Sequence, residues 1–552
     1  MRCRRILVAG ALALGLAAFA AAEFTGPTPL AWRWAHPTAV SPSGVPAVRG
    51  DSLFVAVGNR VFSLDRATGN QRWRFPVADP IPGNFRSAPV LAGDVVVAAG
   101  DNRFMYGIDV ETGQSRWQYI SEVPFVGQPV VAGNFVVIQR SDNRLVAINP
   151  DTGEAAWAAP YNVFDGIQGQ LAAYQNLVLY FTNTNMLVAL NVASLNIAWS
   201  RRFAVVSPES QPIVFGDNVF VNTGTFVVSL GAGNGAVRWQ AQTGEQLAFS
   251  PAVSPVGVVT AVSRDGRVFF IDSASGRVNR NQTMDLGTIL TARPTAADGK
   301  FVYPTTNGAL NVVDPSNGQL IWTYLIRPVP QRGGGATAAG MGGGFDGGGP
   351  AGMMGGVGVG RPGGPAGEAA GVGGPRPGGG AAPAVIAVPA AGPAVLVDGT
   401  LLVLAQDGSL LAFDSRTGVD LTPPTVRMVW PNPGEEVSGQ PPLELVFRIE
   451  DEATGVNESS LKIEVNGQEL AAEMGRDGFA IVRFSVGGDN RPLTDGRRTI
   501  RVTVSDWMGN QTVAEFALLV DNTLRPLVRP TGGTTPTPGG GFPGGPGVGR
   551  PR

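Results

Sequence analysis

The sequence predicts an all-β protein: an eight-bladed β-propeller followed by a β-sandwich, with Gly- and Pro-rich segments that stay disordered. Three observations carry this. A motif ending in Trp recurs about every 41 residues, the length of one four-stranded blade. A stretch near the C-terminus alternates apolar and polar residues with a period of two. Between and beyond these, Gly, Ala and Pro displace the residues that could build a core.

Residues 1–22 read as an export signal. Arg2, Arg4 and Arg5 precede an apolar run from Ile6 to Ala20, and Ala18-Phe19-Ala20 and Ala20-Ala21-Ala22 offer small-residue cleavage sites. No other segment is apolar enough to span a bilayer, so no integral membrane segment is expected after cleavage. The single Cys, Cys3, leaves with the signal, and a lipid-attachment Cys after the apolar run is missing. The expected location is therefore exported: periplasmic, at the cell surface or secreted.

The repeat comes next, over residues 28–330 together with a closing strand at the N-terminus. It runs from an apolar pair to Asp or Asn, then Gly four residues on and Trp four after that. Asp65, Gly69 and Trp73 form one copy, and Asp109, Gly113 and Trp117 another. A third has Asn149, Gly153 and Trp157. Weaker copies keep Asn191 and Trp199, Gly235 and Trp239, or Asp272 and Gly276 with Arg280 at the Trp position. Asp314, Gly318 and Trp322 restore the pattern. Asp414 and Gly418 begin an eighth copy, over residues 393–421, that stops before any Trp. A Pro opens most copies upstream, at 46, 89, 129, 212, 251, 294 and 393, with Gln170 in the Pro place once. The Asx side chain can bond its own downstream backbone, and the Gly supplies a positive φ. The ring of the Trp can wedge between neighbouring sheets.

Closure is legible at the two ends. Copy eight lacks its outer strand, while Ala31-Trp32-Arg33-Trp34 is an outer strand without a blade. Joining them makes an eighth sheet and removes the free edges. Seven blades are expected instead if copy eight does not dock.

Residues 331–392 are dominated by Gly, Ala and Pro and are expected to be a disordered insertion; the tail, 523–552, has the same character. Residues 423–522 form the sandwich, counted as seven short strands. Leu443, Leu445, Phe447 and Ile449 share one face, as do Ile500, Val502 and Val504, and Asn466-Gly467 marks a two-residue hairpin.

The Asp-x-x-[Thr/Ser]-Gly-x-x-x-Trp repeats resemble the pyrroloquinoline-quinone-type, or quinoprotein-like, propeller family, over about residues 31–330 and 390–420. The stretch from Asp495 to Asn522, with Asp506 and Gly509-Asn510 in a turn, resembles bacterial immunoglobulin-like modules. The first resemblance implies a central site for the quinone and a calcium ion in enzymatic members, many of which stack the cofactor on a disulfide between adjacent Cys. A mature chain without Cys cannot build that platform.

One His, His36, and one Cys also exclude His-based triads, multi-His metal sites and redox Cys pairs. A formal charge of −2 without a basic block argues against nucleic acid. The reading is a monomeric, non-catalytic binding or scaffold protein of the cell envelope, with no cofactor, no metal and no catalytic residue. Its partner would be another envelope protein, a peptide or a carbohydrate. The nearest functional analogy is the propeller lipoprotein of the outer-membrane assembly machinery. A quinone- or calcium-dependent oxidoreductase is the alternative, and a surface adhesion protein a third. The expected binding face places Arg86, Gln128, Gln170, Gln211 and Arg293 near the channel mouth, joined by Asp101, Arg103, Asp142, Arg144, Arg264 and Asp265 from loops between second and third strands.

Overall fold

The computed structural model describes residues 24–329, 387–432, 434–475 and 478–529. The predicted signal over 1–22, most of the predicted insertion and most of the predicted tail lie outside the described residues. Among the described residues, helix is limited to two single turns, Arg280–Gln282 and Ser415–Thr417. None is long and apolar enough to cross a membrane.

Seven sheets each pair four consecutive strands as an antiparallel meander; the first runs Ala47–Arg49, Ser52–Val57, Arg60–Asp65 and Gln71–Phe75. An eighth sheet is assembled from both ends of the repeat region. Val395–Val397, Thr400–Leu404 and Ser409–Asp414 supply three strands, and Leu30–Ala35 adds the outermost, with Trp34 opposite Leu410. The second strands are almost wholly buried, as in Val95–Ala99 and Leu177–Phe181, because both of their faces are covered by neighbouring sheets.

The core follows from that arrangement. Each apolar cluster is shared by two consecutive sheets: Phe54 and Val61 of the first meet Val96 and Ile108 of the second, and so on around. Leu402 and Leu410 of the eighth sheet pack on Leu53 and Phe62 of the first, so the sheets form a closed ring. This is a β-propeller.

In the first five copies the Trp ties its sheet to the next. Trp73 donates its indole N–H to the carbonyl of Val110 at 3.0 Å, one residue past the Asx of the following turn. Trp117 to Pro150, Trp157 to Val192, Trp199 to Ala232 and Trp239 to Ser273 repeat this, and Trp32 to Arg66 closes the circle. In the turn that receives the Trp, Asp109 Oδ1 accepts the N–H groups of Glu111 and Thr112. Those bonds, with Arg116 on the other oxygen, hold the Asp109 carboxyl down at about 2. Gly113 sits at φ 70°, and a Cβ there would come 2.6 Å from the ring of Trp73. The glycine is needed for both reasons, backbone and space.

Some expectations change. Residues 387–392, assigned to the insertion by composition, are ordered: Val388 and Ala390 are buried, and the N–H of Val388 bonds the carbonyl of Ile326. Alanine and proline can line a packed wall as readily as a linker. The tail similarly stays ordered through 529, with Leu527 packed against the sandwich core.

The C-terminal region has nine strands rather than seven, the shortest being Glu436–Val437. They form a four-stranded and a five-stranded sheet. Leu445, Phe447 and Ile449 from one and Ile500, Val502 and Val504 from the other share a single core. Asn466 and Gly467, both at positive φ, make the tight turn between Val465 and Gln468. Ring and sandwich belong to one compact unit.

Candidate functional site

The innermost strand of each sheet is an edge strand, bonded on one side only. The approaches to these strands converge on one cavity of about 590 Å³. Arg86, Gln128, Gln170, Gln211 and Arg293 all line it, so five of the eleven sequence-predicted residues come together. Asp101 stands at its margin, bound through Oδ2 to Arg86 Nε at 2.7 Å.

The other five do not line the cavity. Asp142 is turned to Arg140, a buried guanidinium 2.9 Å away, with Arg144 at 3.7 Å from the same carboxylate oxygen. Arg103 takes a positive φ in its hairpin and reaches the carbonyl of Glu122. Arg264 and Asp265 are exposed on their turn. The loops between second and third strands spend their charge on their own geometry; the approaches to the first strands carry the wall.

Four polar wall residues escaped the sequence reading, Ser43, Ser87, Glu209 and Thr291. All but Ser87 lie three residues before their Pro, in irregular chain that leads into the first strand of a sheet. Extending the Pro beat three residues upstream would have found Ser43, Glu209 and Thr291, as it finds Arg86.

Charge on the wall is unevenly compensated. Ser207 Oγ bonds the Glu209 carboxylate, which holds its pKa below the ordinary value, with Arg264 adding to the effect. Arg86 has Asp101. The Oε1 of Gln170 accepts the backbone N–H of Gln128 at 2.8 Å, which links the third sheet to the fourth. Phe249, at φ 54°, turns its carbonyl to Asn222 Nδ2 and Ser210 Oγ, and lines the cavity too.

A second polar cluster lies where the sandwich meets the ring. Asp420, Asp451 and Asp506 are buried, with carboxylate oxygens within 4.8 Å of one another, the spacing of a hard-cation site. Each also caps a turn. Asp451 Oδ1 accepts the N–H groups of Ala453, Thr454 and Gly455, Asp506 Oδ1 those of Met508 and Asn510, and Asp420 Oδ2 the Thr454 hydroxyl. Burial, then the negative charges of Asp420 and Asp506, push the Asp451 carboxyl above its ordinary value.

The family model described as outer membrane protein assembly factor BamB matches residues 28–226 and 227–337. A serine/threonine-protein kinase, AfsK from Streptomyces griseus, is 32% identical over 98 residues, 16% of this chain. The chain covers only 12% of that protein's length. Among solved structures, BamB from Moraxella catarrhalis aligns with a TM-score of 0.48 at 12% identity, over 70% of this chain and 99% of that one. The computationally designed protein Ika8 aligns at 0.47 and 12%, over the same shares. A europium-containing methanol dehydrogenase aligns at 0.42 and 13%, over 53% of this chain and 80% of that one.

Proposed function

The chain belongs to the outer membrane protein assembly factor BamB family, and on that premise we propose that it is an exported, non-catalytic binding or scaffold protein of the cell envelope. The eight sheets are its eight blades, the C-terminal sandwich is an immunoglobulin-like module, and the ring presents the channel mouth to a protein or carbohydrate partner. One observation carries this reading. The Asx and Trp residues of the repeat are spent on turns and seams, whereas the polar side chains that converge, Arg86, Gln128, Gln170, Gln211 and Arg293, meet only on the cavity wall. Convergent amides and guanidinium groups on a rigid wall suit recognition.

Affinity capture from envelope extracts with the whole protein tests it. Specific retention of a partner that Arg86→Ala combined with Gln128→Ala weakens supports the reading. Dye reduction on adding pyrroloquinoline quinone and calcium to the purified protein overturns it in favour of an oxidoreductase. Recovery of the protein from the cytoplasm on fractionation overturns the envelope assignment.

A further inference from the structure

The cavity wall holds one cation without a counterpart. Arg293 lines the channel at the start of the seventh sheet, and no hydrogen bond or ion pair reaches its guanidinium from the described residues. Burial alone, with no opposing carboxylate, shifts it below its ordinary pKa. Two residues earlier, and on the same wall, the Thr291 hydroxyl is buried with no partner. Arg86 and Glu209, by contrast, are each answered by a neighbour. The Thr291 oxygen is closed off from solvent, whereas no Arg293 nitrogen is among the buried unpartnered atoms, so on this wall it is the guanidinium that a ligand can answer.

The ligand's chemistry follows from what surrounds them. A planar guanidinium takes a carboxylate through two parallel bonds. A phosphate dianion would call for a second free cation, and the wall instead carries Glu209. Beyond Arg293 the wall carries the edge strands Phe125–Ala132, Gln168–Tyr174 and Ile213–Phe215; the N–H groups of Gln128 and Gln211 are taken by Gln170 Oε1 and Ser250 Oγ, which leaves the side-chain amides of Gln128 and Gln211 and the amide nitrogen of Gln170 to a ligand. Alternating donors and acceptors of that kind match the backbone of an extended peptide. A volume of about 590 Å³ lies within the usual range for small-ligand sites, about 300–1,000 Å³.

We infer that the channel mouth binds the C-terminal end of an extended polypeptide, with its free carboxylate on Arg293 and its last peptide groups on the glutamine amides. This rests on the binding reading above and names the part of the partner that the ring takes.

The test uses the full chain and three probes in calorimetric titration. These are acetyl-tetra-alanine as the free acid, the same peptide as its C-terminal amide, and an amidated acetyl-alanine peptide with one internal Glu. The free acid is expected to bind about tenfold or more tightly than either amide. Arg293→Gln is expected to abolish that preference and Arg293→Lys to keep part of it, with melting temperatures matching the parent. Equal binding of acid and amide, an internal Glu that binds as well as the free end, or acetate that competes as well as the peptide, each overturns the inference. Capture from envelope extract separates the two claims. If the parent and Arg293→Gln proteins retain the same partner equally and no peptide binds, the inference fails and the binding reading stands. If neither retains any partner, the binding reading fails too.

Discussion

The seam between the second and third sheets and the seam between the seventh and eighth solve one problem in two ways. At the first, Trp117 leans on the next turn and donates to the carbonyl of Pro150 at 2.6 Å. At the second, the indole N–H of Trp322 passes over the Asp414–Gly418 turn and goes to the carbonyl of Thr454, in the sandwich, at 2.8 Å. The same sandwich turn accepts the N–H of Leu30 on its Ala453 carbonyl and the Tyr324 hydroxyl on that of Glu452, while Trp507 donates back to the carbonyl of Thr323. Arg327 pairs with Glu450 beside it. The irregular seam is the one where the repeat is interrupted, between Val329 and residue 387. The C-terminal sandwich thus helps to close the ring at the place where the repeat does not.

The largest way to break this comparison is Trp322→Ala. Trp322 is fully buried and touches Phe24, Tyr324 and Phe413 as well as the sandwich. The expected loss is about 3–5 kcal/mol, with ring and sandwich unfolding in one transition in urea. Trp117→Ala, at a regular seam, is expected near the lower end of that range. Two separate transitions in the parent protein would show that the sandwich stands apart from the ring.

Asp451 tests the same junction from the other side. Its carboxylate organises the turn that receives Leu30 and Trp322, so Asp451→Ala leaves buried N–H groups unanswered and is expected to cost about 2–3 kcal/mol. Asp451→Asn keeps the acceptor and removes a charge that faces Asp420 and Asp506, so it is expected to stay within about 1 kcal/mol of the parent. The sign with pH is fixed by linkage. A carboxyl whose folded pKa is raised binds its proton more tightly in the folded state. Its contribution is therefore present below the ordinary value of 3.8 and is lost as pH rises through the raised one. Chemical denaturation from pH 3.5 to 7 should show the parent losing ground relative to Asp451→Asn, and a constant difference would refute the assignment.

The contrast between regular and irregular seams also marks what the sequence could tell. The Asx, Gly and Trp positions are legible because each blade imposes the same turn and the same wedge, so seven registers can be read from one rule. Leu30–Ala35 could be placed in the eighth sheet by elimination, since Trp32 and Trp34 had no blade. The junction was not legible. Nothing local to Trp322 says that its partner lies at Thr454, because the pairing depends on how two separate cores meet. The wall was half legible: the Pro beat marks Gln128 and Arg293, but Thr291 declares itself only once its hydroxyl is seen to lack a partner. Asp142 looked like a rim charge and instead serves Arg140, a role visible only when that guanidinium is known to be buried.

At the regular seams the fit of ring on turn can be broken by one methyl. Gly113→Ala places a Cβ against Trp73 and forces an L-residue to φ 70°, and about 1–2 kcal/mol is the expected cost. Gly93→Ala, at φ 59° and with nothing within 4 Å of its Cβ, is expected to cost less, since only its left-handed backbone objects. Thermal unfolding of the two variants gives the comparison directly. Equal losses would mean that the Trp ring contributes nothing to the demand for glycine.

The smallest effect is the most discriminating. In the fourth copy Leu195 occupies the glycine position and still adopts φ 57°, at a cost of about 1 kcal/mol. The Trp that should rest there, Trp157, is the one whose stretch is not a regular strand, and the fourth strand of its sheet is reduced to Tyr161–Asn162. A cavity of about 130 Å³ lies beside Trp157, bounded by Ala155 and Ala158–Pro160. Trp73, Trp117, Trp199 and Trp239 are buried; Trp157 is only half-buried. Leu195→Gly removes the strained backbone but gives the unfolded chain more freedom, so stability should change by no more than about 0.5 kcal/mol. Its effect belongs to Trp157, which already bonds the carbonyl of Val192 and can then bring its ring face closer onto the turn. Acrylamide quenching of tryptophan fluorescence should fall in the variant, most clearly in a background with Trp32→Phe and Trp34→Phe. Unchanged quenching would assign the irregular strand to Pro160 and its neighbours rather than to the missing glycine.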